Sequence, residues 1–127
     1  MTQLRALLVI LALCLSAAAL AQDSVSREAW SNHMEAALPD YLCQEDSYFV
    51  QCFELDLAQC RHSLGELTRR CLDRFADDIP DPIRPAEDGA IIGQMVGSCA
   101  GTQFDYEHRA LKIDNPQCND PMHWAGR

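Results

Sequence analysis

Four histidines (His33, His62, His108 and His123) and seven cysteines are the side chains here whose chemistry reaches beyond packing. A histidine titrates near neutrality and serves as a base or a metal ligand. Cysteines form disulfides, hold zinc or act as nucleophiles. No two of these histidines stand four residues apart, and none has a Cys or carboxylate at a recognised ligand spacing. No cysteine pair has the short spacing of structural zinc ligands. Asp77, Asp78, Asp81, Glu87 and Asp88 crowd one stretch and offer oxygen ligands, but without the alternation of an EF-hand loop. There is no Gly-x-Ser-x-Gly elbow and no phosphate loop. No metal and no cofactor is expected.

Two short motifs touch known chemistry. Gly97-Ser98-Cys99-Ala100-Gly101 resembles the Gly-Ser-Cys of papain-type cysteine proteases, which also need a distant His and Asn on a larger scaffold. Cys60-Arg61-His62-Ser63-Leu64-Gly65 resembles the Cys-x-x-His-Asp helix of secreted phospholipases A2 over six residues, without the Asp after the His and without a preceding calcium loop. Cys99 reads instead as half of a disulfide, and His62 as a surface residue.

The cysteines point to export. Residues 1–21 place one Arg before an apolar run and end on Ala19-Leu20-Ala21, the pattern of a signal peptide cleaved before Gln22. The run is too short for a retained membrane anchor. Removing it discards Cys14 and leaves an even set: Cys43, Cys52, Cys60, Cys71, Cys99 and Cys118. An even set in a small exported chain predicts disulfides formed in the periplasm or outside the cell. The chain's net charge is −9, and loss of Arg5 makes it one unit more negative. Nucleic acid and anionic membrane are therefore poor partners, because both need a cationic face.

The elements that must position these groups are helical. Residues 24–38 carry Val25, Ala29, Trp30 and Met34 on one arc, with Ser24 able to cap and Pro39 marking the exit. His33 falls within that arc, which predicts a partly buried, hydrogen-bonded imidazole. Residues 47–75 place Phe49, Phe53, Leu57, Cys60, Leu64, Leu67, Cys71 and Phe75 at steps of three and four. Unbroken, such a helix would extend roughly 43 Å, too long for one small domain, so a kink is expected near residues 63–65. Residues 86–104 set Gly89, Gly93, Gly97 and Gly101 four apart, which predicts close packing of a buried helix within the chain. The reading is all-α: one helical, disulfide-stapled domain over 22–127, with an irregular C-terminal tail.

Three cysteines on one straight helix cannot bond one another, so Cys52, Cys60 and Cys71 must each pair with Cys43, Cys99 or Cys118. Shortest reach and equal height along antiparallel helices predict Cys43–Cys52, Cys60–Cys99 and Cys71–Cys118. The leading expectation for function is an acidic binding protein, of inhibitor or immunity type, steered to a basic partner protein. The proline-stiffened loop carrying Asp77, Asp78, Asp81, Glu87 and Asp88 is its expected contact face. A small hydrolase using His33 or His62 as base, and an envelope protein self-associating through the glycine track, are the alternatives.

Overall fold

Residues 24–125 are described in the computed structural model; the expected signal peptide lies outside them. Helix α1 (Arg27–Leu42) opens on Ser26, whose hydroxyl accepts from the Ala29 amide at 3.1 Å. The cap is thus Ser26 rather than Ser24. The helix also runs through Pro39 instead of stopping there. Pro39 sits buried in its last turns, where its missing N–H removes one intrahelical bond, to the Glu35 carbonyl. The Cys43 amide then closes the helix on the Pro39 carbonyl at 2.8 Å.

The expected helix over 47–75 is two helices. A single turn, α2 (Tyr48–Gln51), is followed by a break over residues 52–56, and then by α3 (Leu57–Arg74). Asp56 decides the restart. Its carboxylate accepts from the Gln59 amide at 2.7 Å, while the Gln59 side chain accepts from the Asp56 amide at 2.9 Å. This reciprocal box satisfies two amides that would otherwise lack partners and fixes the helix start. With the length shed there, α3 needs no break at residues 63–65 and runs continuously through them. Gly65 faces the Pro39 ring instead, at ordinary van der Waals distance.

Helix α4 (Gly89–Glu107) completes a three-helix trunk. Central α3 packs on both α1 and α4 and runs antiparallel to them. Leu64, Leu67, Val96, Ala100 and Phe104 are fully buried along its axis. The glycine track is covered from within: Trp30, Met34 and Leu38 of α1 stand over Gly89, Gly93 and Gly97, and Phe49 stands over Gly101. The same four-residue step on two parallel helices makes this match. The track is therefore not a free face for self-association.

Beyond α4, a 3-10 turn (Arg109–Leu111) and two one-turn helices, α5 (Pro116–Asn119) and α6 (Pro121–Trp124), form the tail. Asn115 and Asp120 cap the two short helices, each just before a proline, so the tail is more regular than expected.

All three expected disulfide pairings are corrected. The bonds are Cys43–Cys60, Cys52–Cys118 and Cys71–Cys99, one of the sets in which each of the middle three pairs outside their group. The break after α2 is one cause. It turns Cys52 away from Cys43 and brings the start of α3, with Cys60, beside the end of α1. The other cause is height. Cys71 lies near the end of α3 while Cys99 lies ten residues into α4, so α4 extends roughly 10 Å beyond α3. The connecting segment takes up that offset, burying Ile79 and Ile83 in the core and pairing Ile83 with Val25 just before α1.

Candidate functional site

The trunk has two unlike ends, separated by the 16 residues of α1, roughly 24 Å. At one end the 75–88 connection passes the start of α1. Val25 and Ile83 exchange backbone hydrogen bonds of 2.9 and 2.8 Å, and the Arg27 side chain donates to the Ala76 carbonyl at 2.9 Å. The acidic loop is therefore clamped, not loose.

Its five expected contact residues divide. Asp77 and Asp78 are exposed and take part in no ion pair among the described residues. Asp81 accepts from the Arg27 amide at 3.1 Å, which commits one oxygen to the start of α1. Glu87 and Asp88 both grip Arg84, Asp88 with bonds of 3.0 and 3.2 Å to the guanidinium. The Arg84 guanidinium, aided by the Arg84 amide, holds the Asp88 carboxyl below its ordinary range. The loop's open charge thus lies at Asp77 and Asp78, with Asp81 beside them.

The opposite end is aromatic. Tyr48, Phe49, Phe53 and Phe104 meet edge to face, with centroids 5.1 to 5.5 Å apart, and Trp124 joins Tyr48 at 5.7 Å. The Tyr48 hydroxyl donates to Asp105 at 2.7 Å, and Lys112 reaches the same carboxylate at 3.3 Å. Burial pushes the Tyr48 hydroxyl above its ordinary pKa, and the hydrogen bond to Tyr48 raises that of Lys112. The Trp124 indole N–H donates to the Gln117 carbonyl at 2.9 Å. Between this cluster and the end of α1 opens a cleft of about 640 Å³, with Tyr41, Leu42, Gln44, Asp46 and Ser47 on its other walls. Nothing in the periodic pattern marked it. The aromatic residues just before Cys52 and after Cys118 were the available signal, and it required the correct pairing.

The histidines and cysteines assemble less. His33 is exposed, against the expectation of a partly buried ring. His62 is exposed and stands 3.7 Å from Glu66, within a polar groove where Arg61–Asp40 and Arg69–Glu35 are already paired. Ser63 Oγ lies 2.6 Å from His108 Nε2, a contact the sequence did not suggest. That geometry resembles a nucleophile and its base. Among the described residues, however, no carboxylate orients the other ring nitrogen. Ser63 also sits inside α3, whose amides are spent within the helix and so leave no donors for an oxyanion. Cys99 and Cys60 are in disulfides, which removes the thiols of both short motifs. Among the described residues no cluster of three or more His, Cys, Asp or Glu side chains is placed to hold a metal.

Residues 24–112 match a family model described as the type II secretion system substrate NttA. The chain belongs to the NttA family. Among curated proteins none matches it. The NttA match takes in the whole trunk and the acidic loop, and ends before Cys118 and Trp124. An NttA-family chain is an exported protein, in keeping with its three disulfides. No helix among the described residues is long and apolar enough to cross a membrane.

Proposed function

We propose that this chain acts after export as a binding protein, and that it meets a basic partner protein through the acidic end of the trunk. One observation carries the reading: among the described residues every arginine and the lysine is engaged within the chain, five of them by carboxylates. Arg61, Arg69, Arg70, Arg84 and Lys112 are ion-paired, Arg27 and Arg109 donate to carbonyls, and Arg74 lies over the Phe75 ring. The free carboxylates at Asp77 and Asp78 stand on a loop clamped by Ile79 and Ile83, which lowers the ordering entropy lost on docking. Secretion by a type II route favours an inhibitor acting outside the cell over an immunity protein kept in the envelope.

The test is capture of a partner by the oxidised mature chain, repeated with Asp77→Asn, Asp78→Asn and Asp81→Asn combined. A basic protein should be held at low salt, released at about 0.5 M salt as screening shortens to a few ångströms, and captured poorly by the triple variant. Capture indifferent to both salt and the substitutions would rule the acidic end out as the contact face.

A further inference from the structure

The aromatic end carries a second, independent site. We infer that the cleft between the end of α1, α2 and the C-terminal tail binds an oligosaccharide. Its volume of about 640 Å³ falls in the range of small-ligand sites. Its lining combines two chemistries. Tyr41, Tyr48 and Trp124 supply ring surface, and Tyr41 is 68% exposed. Gln44, Asp46 and Ser47 supply polar atoms, among which the buried Ser47 hydroxyl has no hydrogen-bond partner among the described residues.

The polar handles of the rings decide between ligand classes. The Tyr48 hydroxyl is committed to Asp105 and the Trp124 N–H to the Gln117 carbonyl, so both rings offer the cleft carbon surface. A proline-rich peptide in an extended helix needs such handles as donors to its carbonyls, and has few N–H groups of its own for Asp46. A quaternary ammonium would use the ring faces and the Asp46 charge, but its methyl-covered head leaves the Gln44 amide and the Ser47 hydroxyl without hydrogen-bond partners. A pyranose fits both halves: its C–H face lies on aromatic carbon, and its hydroxyls donate to a carboxylate and an amide and exchange bonds with a serine. The walls are also held in place. Cys43–Cys60 anchors the Leu42 to Gln44 wall, and Cys52–Cys118 ties the tail bearing Trp124 to the end of α2. A site built this way loses little entropy when it fills.

The chain's two tryptophans make the test direct, because Trp30 is buried in the trunk and Trp124 lines the cleft. In the oxidised Trp30→Phe protein, Trp124 emission is followed during titration with tetrasaccharides of glucose, mannose, galactose and N-acetylglucosamine. Choline chloride and a proline-rich decapeptide serve as competing probes. At least one tetrasaccharide should give a saturable change. Tyr41→Ala should weaken that binding about tenfold, the size expected for one aromatic contact, with the melting temperature unchanged. The Asp46→Asn variant should weaken it too. The proposal is overturned if no tetrasaccharide changes the emission, if Tyr41→Ala leaves the affinity intact, or if choline or the peptide saturates the site instead.

Discussion

The two ends of the trunk differ in how they are held. The acidic end is closed by hydrogen bonds and burial: Val25 pairs with Ile83, Arg27 holds Ala76 and Asp81, Ile79 and Ile83 fold into the core, and Arg84 gathers Glu87 and Asp88. The aromatic end is closed by residues far apart in sequence, with Cys52 bonded to Cys118 and Phe49 and Phe53 packed on Phe104. Hydrogen bonds and two buried isoleucines therefore hold the one end, whereas a disulfide and a cluster of rings hold the other.

The largest effect should come from the ring that joins the trunk to the aromatic end. Phe104 is fully buried and touches Phe49, Phe53 and His108. Phe104→Ala should cost about 4 kcal/mol in denaturant unfolding, from lost transfer energy plus the cavity. A loss below about 1 kcal/mol would mean that the aromatic cluster does not bear on the trunk.

The trunk's own staple comes next. Replacing Cys71 and Cys99 with alanine opens a loop with a sequence separation of 28, worth about 3.5 kcal/mol by chain entropy. The loss should be read on the melting of helix content, and Trp124 emission should follow it only when the trunk itself melts.

The glycines sharpen the contrast on a finer scale. A methyl at Gly97 would meet Leu38 at 3.8 Å, which is ordinary contact, so Gly97→Ala should stabilise by about 1 kcal/mol through helix propensity. At Gly101 the same methyl would come 3.1 Å from Phe49, a ring hemmed in by Tyr48 and Phe104. Gly101→Ala should therefore lose that gain and destabilise. Equal effects at the two sites would show that the aromatic end is as forgiving as the trunk.

The ends should also titrate in opposite directions. Asp88 has a lowered pKa in the folded chain, so its contribution is present above its ordinary value of 3.8 and is lost as pH falls through the lower folded value. Tyr48 and Lys112 are raised above 10.0 and 10.5, so theirs is present below those values and fades as pH rises through the higher folded ones. Stepwise titration should give a small alkaline change in Trp124 emission and a small acid change near the loop. An alkaline transition centred on the loop would contradict the assignment.

What the sequence disclosed divides by range along the chain. The apolar steps from Cys60 to Cys71 placed the buried face of α3, and the four-residue glycine step placed α4 against a partner within the chain. Both patterns are periodic and local. The break at 52–56 had a local signature too, in Asp56-Leu57-Ala58-Gln59, but it was masked because the stripe stays in phase across it. The disulfide partners were not legible, because they depend on where α3 restarts and how far α4 overshoots it. The cleft depends on those partners, so it was not legible either. At the acidic end the charged residues were plain, but that Arg84 binds Glu87 and Asp88, while Asp77 and Asp78 stay open, is a matter of geometry.

The central claim is that the trunk stands by itself and that Cys52–Cys118 fastens a built site to one end of it. Cys52→Ala with Cys118→Ala, in the Trp30→Phe protein, tests this by following far-UV circular dichroism and Trp124 emission together through thermal unfolding. The account predicts native helix content at 25 °C with Trp124 emission already shifted to the red, the tail having left while the trunk remains. Native emission at 25 °C, followed by one transition shared by both signals, would contradict it.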